Sequence, residues 1–132
     1  NKLIRGASPI VYMTELSHQD NKIMLQLGLR NLNGVDLDVL SIDFKMSVED
    51  DDLLVYQGPV ERNIVANGTE TWSVEVDEKP GTRALLESLE QGQVKSLPYV
   101  LRGLVISRED GSLRFEHEGH IYPLPGKPGY FR

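Results

Sequence analysis

Hydrophobic and polar residues alternate along most of this chain, and the alternation is clearest in the second predicted strand. Every second residue there is aliphatic: Ile23, Leu25, Leu27 and Leu29. Because successive side chains of an extended chain point to opposite sides, this pattern predicts a β-strand with one face against a core. The alternation from Ile10 to Glu15 predicts a strand before it, and the turn-forming sequence Asn31-Leu32-Asn33-Gly34 predicts where the second strand ends.

A third strand is predicted from about Asp38 to Glu49 by the same alternation. Its inward positions are Leu40, Ile42, Phe44, Met46 and Val48. The acidic run from Glu49 to Asp52 then predicts a turn.

Short extended segments follow this turn. We expect a short strand from Leu53 to Gln57, a segment from Pro59 to Val65, and an Asn67-Gly68 turn. A strand from Glu70 to Val76 comes next, with Trp72, Val74 and Val76 on one face. This succession predicts a meander.

The period changes after Pro80, where one short helix is predicted from Thr82 to Gln91. The apolar residues Leu85, Leu86 and Leu89 have helical spacing, and Gly92 is a suitable C-terminal stop. Thr82 is the expected N-cap, since its hydroxyl can accept a hydrogen bond from a first-turn amide.

Alternation resumes in the last part of the chain, with strands predicted from Lys95 to Ser107 and from Leu113 to Ile121. About seven strands joined by turns predict an all-β fold, a two-sheet antiparallel sandwich with the helix covering one end. We expect residues 1–132 to form a single domain. The Pro/Gly-rich tail 123–132 cannot continue a central strand, because proline lacks the N–H donor, so it is expected to be a strap or a free end.

Charge and composition exclude several classes of function. The 132 residues carry a net charge of −6, which argues against binding to nucleic acid, and the absence of cysteine excludes disulfides and thiolate chemistry. No apolar run is long enough to span a membrane, and residues 1–5 lack the apolar centre of a secretion signal. Because the chain does not begin with Met, we expect that a tag or targeting segment has been removed.

The three histidines are the first candidates for reactive groups. His117 and His120 are three residues apart, which places them on opposite faces of a strand and argues against a shared metal. His18 lies in a polar turn from Ser17 to Asn21, where we expect it to be exposed.

Other candidates also have a simpler structural explanation. The run Glu49 to Asp52 lacks the spacing of an EF-hand loop, so a solvated hairpin tip is favoured over calcium binding. Asn67-Gly68-Thr69 fits a glycosylation sequon, but a tight turn is favoured. Trp72 and Tyr99 could line a ligand groove, although core positions are favoured. We therefore assign no catalytic, cofactor-binding or metal-ligating residue and predict no enzymatic activity and no cofactor.

Several of these stretches together resemble the type 2 late embryogenesis abundant family, also called the water-stress and hypersensitive-response domain. The resemblance covers roughly residues 8 to 131. The segments that carry it are the strand Ile23 to Leu29 leading into Asn31-Leu32-Asn33, the strand Leu40 to Met46, the helix Leu85 to Leu89, the segment Pro98 to Gly103, the stretch Phe115 to Gly119 and the closing Leu124 to Gly129.

The resemblance implies a β-sandwich of immunoglobulin or fibronectin type III shape and a non-catalytic, stress-associated role. It also implies a bacterial periplasmic or envelope location, with a lipid anchor as one option; a cytoplasmic location is the alternative. Client proteins or a membrane surface are the expected partners. The alternative function is a module that binds or transfers an apolar ligand such as a lipid, held between the sheets or under the helix. The oligomeric state does not follow from the sequence.

Overall fold

The structure is a computed structural model that describes residues 7–132, so the expectation for residues 1–5 lies outside the described residues. In chain order its elements are β1 (Ile10–Gln19), β2 (Lys22–Arg30), β3 (Leu37–Val48), β4 (Asp51–Ile64), β5 (Thr69–Asp77), α1 (Thr82–Glu90), β6 (Leu97–Ser107), β7 (Gly111–Ile121) and β8 (Tyr130–Phe131). Within this part of the chain, no helix has the length and apolar character needed to cross a membrane.

The strands form two four-stranded sheets, and all their pairings are antiparallel. Sheet A has the order β5-β2-β1-β8 and sheet B the order β4-β3-β6-β7. This arrangement confirms the predicted all-β sandwich with one short helix. Strands β4 and β5 lie in different sheets, so the meander prediction is wrong at that step: the Asn67-Gly68 turn lies in a connection between the two sheets.

Side chains from the inner faces of both sheets form one continuous core. The predicted faces of β2 and β5 are confirmed, since their alternate aliphatic and aromatic residues are buried, and β6 buries Leu97, Tyr99, Leu101 and Val105 in the same way. In β3 the prediction fails at Leu40, which is only half-buried, whereas Leu37 and Val39 are buried. In the pairing with β6, Val39 and Ser41 lie opposite the consecutive residues Ser107 and Ile106, so Leu40 is an extra residue in β3, and such a bulge exchanges the two faces of the strand.

A single strand, β4, replaces the predicted short strand and the separate segment around Pro59. Proline is tolerated because β4 is the edge of sheet B, where a missing N–H costs no ladder bond. The acidic turn is also tighter than predicted. Only Glu49 and Asp50 form it, with φ values of 52° and 70°, as in the two-residue type I′ turns that join antiparallel strands.

Helix α1 is confirmed, but its predicted N-cap is wrong. Gly81 occupies the N-cap position with φ 91°, and no side chain caps the helix. The buried Thr82 hydroxyl instead donates a hydrogen bond to the Leu53 carbonyl at 3.4 Å and accepts one from the Lys79 amide at 3.3 Å. Thr82 therefore holds the helix against the start of β4. At the other end Gly92 adopts φ 76° just after the helix, as predicted.

The tail folds back as a small hairpin and crosses from sheet B to sheet A. Tyr122 and Arg132 exchange two backbone hydrogen bonds, of 2.7 and 2.8 Å. Phe131 pairs with Leu16 of β1, and its ring is fully buried. The tail therefore supplies a two-residue strand to sheet A and an aromatic side chain to the core.

Candidate functional site

His117 and His120 lie on opposite faces of β7, as predicted. The His117 ring faces the ring of Tyr12 at 6.4 Å and that of Tyr99 at 6.3 Å, whereas His120 is exposed on the outer face. Among residues 7–132 there is no group of three histidine or acidic side chains arranged to hold a metal ion.

His18 is not exposed, contrary to the sequence prediction. It lies in β1 with 16% of its side chain accessible, and its Nε2 atom is hydrogen-bonded to Oε2 of Glu78. Arg83 of α1 contacts the other Glu78 oxygen at 3.2 Å and also donates to the Asn21 side chain. No local pattern predicts this group, because His18 and Glu78 are 60 residues apart in the chain and meet only when the sheet and helix pack together.

We call His18, Asn21, Glu78 and Arg83 the helix-side clasp. The hydrogen bond from His18 lowers the pKa of the Glu78 carboxyl, and the Arg83 guanidinium lowers it further, although partial burial opposes both effects. The His18 backbone amide donates to the Gly129 carbonyl at 2.8 Å, so the clasp is continuous with the tail. This arrangement joins β1, the end of β5, the helix and the tail, which is a structural role.

An open cleft of about 720 Å³ lies on the outer face of sheet B, next to the acidic turn. Its walls include Glu49, Asp50 and Asp52 on one side and Glu118 and His120 on the other. The hairpin tip is exposed, in agreement with the sequence interpretation. Lys45 and Arg102 lie on the cleft floor and place positive charge between the two acidic sides, so the cleft has mixed charge.

The other residues considered as functional candidates, Asn67, Trp72 and Tyr99, lie in a turn or in the core. Asn67 adopts φ 57°, and the Gly68 amide donates to the Val65 carbonyl at 2.8 Å, which confirms the predicted turn. Trp72 and Tyr99 are in the core, also as predicted, and the buried Trp72 Nε1 has no hydrogen-bond acceptor among residues 7–132. Burial raises the pKa of the Tyr99 hydroxyl, and a hydrogen bond from the Met13 backbone partly offsets the shift.

Asn31 is a buried polar residue that the sequence reasoning treated only as part of a turn. Its side-chain nitrogen lies within hydrogen-bonding distance of the carbonyls of Val35, Ile64 and Val65, at 2.9, 3.1 and 3.2 Å. Its Oδ1 atom accepts from the Asn33 backbone at 2.9 Å. Asn31 therefore joins the β2–β3 crossover to the β4–β5 turn at the end of the sandwich opposite the helix.

Comparisons with known proteins support the fold. No family model matches the sequence, and no curated protein does. Solved structures do match. A protein from Arabidopsis thaliana, known from a solution structure, has a TM-score of 0.57 at 12% identity, over 90% of this chain and 87% of its own.

Two further structures have the same fold. One, described as a candidate late embryogenesis abundant (LEA) protein, has a TM-score of 0.51 at 13% identity, over 92% of this chain and 75% of its own. The other, described as a candidate ApaA protein from Bordetella pertussis, has a TM-score of 0.52 at 8% identity, over 94% of this chain and 99% of its own. At such low identity these matches establish the sandwich fold alone.

Proposed function

We propose that this chain is a non-catalytic, stress-associated domain that acts through its surface on proteins or membranes. The observation that carries the proposal is the shared sandwich fold with a structure described as an LEA protein. The resemblance of the sequence to type 2 late embryogenesis abundant proteins supports it independently. We further propose that the whole chain is one domain of this kind, in the bacterial periplasm or envelope, with the cytoplasm as the alternative.

The charges on the described surface fit a protective role in drying solutions. The acidic side chains are spread over the β3–β4 turn, the outer faces of the strands and the helix, and the whole chain carries a net charge of −6. Like charges repel and polar faces retain water, so molecules of this kind stay apart from one another and can separate client proteins as water is withdrawn.

The side chains between the two sheets are apolar and supply no reactive groups. The core residues of both sheets are aliphatic or aromatic, and the core includes Trp72, Tyr99 and Phe131. The clasp joins structural elements, and the cleft on sheet B is open and of mixed charge. A role without catalysis is therefore the proposal most consistent with the described residues. No observation on them favours the alternative of an apolar ligand between the sheets, and that alternative stays a prediction.

Drying a labile enzyme with and without this protein tests the proposal. We expect the rehydrated enzyme to keep more activity with this protein than with an inert acidic protein of the same size and charge. Equal losses with the two additives would contradict the protective role. Any protection should also persist in the His120→Ala variant, because that exposed side chain on the cleft has no part in the proposed mechanism.

A further inference from the structure

We propose that strand β7 is a dimerisation edge, at which a second copy of this chain pairs its own β7 antiparallel to the first around a twofold axis at Phe115. The two four-stranded sheets B then form one continuous sheet. This inference goes beyond the proposed stress-associated role and does not depend on it. We call residues 112–118 the β7 edge.

The first observation is that β7 is a long and regular strand at the edge of its sheet. It comes last in the order β4-β3-β6-β7, and it pairs with β6 from Gly111 to Ile121 without a register shift. Within residues 7–132, the backbone of the β7 edge has no strand partner other than β6. Such an edge presents a row of unpaired N–H and C=O groups, which is a template for another strand.

The other edges of the two sheets are less suited to pairing. At the opposite edge of sheet B, β4 contains Pro59, its pairing with β3 has two register shifts, and Glu61 adopts φ 51°. Proline and irregular backbone are common ways in which edge strands avoid pairing. In sheet A, β8 has only two residues, and β5 carries acidic but no basic side chains. Among the described edge strands, β7 therefore combines a regular backbone with charges of both signs.

The second observation is the order of charges along the outer face of β7. Arg114, Glu116 and Glu118 are exposed at alternate positions of the strand. Arg114 has no ion-pair partner among the described residues. Glu116 contacts Arg102 of β6 at 3.8 Å, but both side chains are more than half exposed. An exposed cation and exposed carboxylates thus follow each other along an open strand edge.

A twofold axis at Phe115 places opposite charges face to face. In that register Arg114 lies opposite Glu116 of the second copy, and the symmetry forms the same pair again on the other side of the axis. Opposite charges at directly paired positions stabilise an antiparallel sheet. Glu118 lies opposite Ser112, and the two Phe115 side chains are neighbours on the inner face.

The neighbouring registers are opposed by the same charges. An axis at Arg114 places the two Arg114 side chains opposite each other, and an axis at Glu116 does the same for the two Glu116 side chains. An axis at His117 places Glu116 opposite Glu118. Like charges directly opposite each other destabilise a strand pair. The charges therefore select one register in which β7 complements itself, and this self-complementarity favours a second copy over an unrelated extended segment.

Pairing of this kind stops at two copies. Each copy contributes the same edge to the interface, so the dimer is closed and no second β7 edge remains for a further molecule. The acidic side chains of the β3–β4 turn and of β5 belong to other elements and stay exposed. Dimers therefore still repel one another through their acidic surfaces.

Analytical ultracentrifugation of the parent chain and of charge variants tests the inference. We expect the parent chain to sediment as a dimer that dissociates on dilution. Arg114→Glu and Glu116→Arg each place like charges opposite each other at both symmetry-related pairs, so each variant should weaken the dimer at least about tenfold. Mixing the two variants should restore a dimer, since every opposed pair then again has one cation and one carboxylate.

A matched control separates position from net charge. Arg62→Glu makes the same change in charge at an exposed position of β4, at the other edge of sheet B. It should dimerise like the parent chain. Circular dichroism should show all three variants folded, because the three positions are exposed. Hydrogen exchange should locate the interface, with slower exchange in residues 111–121 of the dimer than in the monomer.

Three results would overturn the inference. The first is a parent chain that sediments as a monomer at concentrations up to about 1 mM, at which even weak association is detected. The second is a parent dimer that Arg114→Glu leaves intact, which would place the interface elsewhere. The third is failure of the two mixed variants to form a heterodimer. A monomeric parent chain that still protects a dried enzyme would contradict the dimer and leave the proposed function standing.

Discussion

Replacing Asn31 by alanine tests whether one buried amide holds the end of the sandwich together. The change removes the donors to three carbonyls and the acceptor for the Asn33 amide. Asn31 is fully buried. A lost hydrogen bond costs about 1 kcal/mol net, and a buried group left without a partner costs about 1–3 kcal/mol. Because water can reach the half-exposed partners, we expect a loss of roughly 3 kcal/mol in the free energy of unfolding.

Urea unfolding followed by tryptophan fluorescence measures this loss, and thermal unfolding should show a fall in Tm of about 10 °C. Asn63→Ala is the matched control. Asn63 is exposed and its amide donates to the Asp38 carboxylate at 2.5 Å, so its removal should change stability by less than about 0.5 kcal/mol. A loss below about 1 kcal/mol in Asn31→Ala would refute the account of Asn31 as the residue that joins the two connections.

The variant Asn31→Asp tests the same contacts through the pH dependence of the free energy of unfolding. A carboxylate there would be buried and would face three carbonyl oxygens. Burial and the nearby oxygens each raise its folded pKa above the unfolded value. The protonated form can still donate to a carbonyl. The variant should therefore be most stable below the ordinary aspartate pKa and should lose stability as the pH rises through its folded pKa. A stability that is independent of pH relative to the parent chain would contradict this reasoning.

Three further predictions concern the clasp, the tail and a crowded glycine. Glu78 has a lowered pKa in the folded chain, so its stabilising effect is present above the unfolded glutamate pKa and is lost as the pH falls through the folded pKa. Urea unfolding from pH 7 to pH 3 should show this fall in stability. The variant Glu78→Gln should show a smaller fall. Phe131→Ala should cost about 3–5 kcal/mol by chemical unfolding and should make chymotrypsin cut after Tyr130 much faster, and an unchanged cutting rate would contradict the docked tail. Gly103→Ala should cost more than about 2 kcal/mol by the same measurement, because its Cβ would overlap the Asp43 carbonyl oxygen, and a neutral result would show that β3 can move aside.

Local periodicity predicted the strands well because most of them have one buried face. In β2 and β5 the pairing is regular over nine residues, so the alternate apolar residues of each strand all face the core. Where a bulge intervenes, as beside Leu40, the pattern continues in the sequence while the faces exchange in the structure. Nothing local marks that exchange, since it depends on the register with the neighbouring strand.

The helix-side clasp and the role of Thr82 were missed for a related reason. Ser, Thr and Asp at a helix start usually cap it, but Gly81 takes the cap position with a positive φ, and Thr82 is then free to bond to β4. His18 was predicted to be exposed because its neighbours are polar. Its actual partner comes from the end of β5, and only the closed sandwich brings Glu78 to it.

The two ends of the sandwich are held by different chemistry. At the end of the sandwich opposite the helix, the Asn31 amide joins the two connections, and the Asp36 carboxylate also accepts from the Ala66 amide. At the helix end, charged groups join the strands, the helix and the tail, and their contribution falls with acid and is screened by salt. Because side chains of the inner faces fill the core, the role we propose rests on outward positions, where acidic side chains facing water keep neighbouring molecules apart.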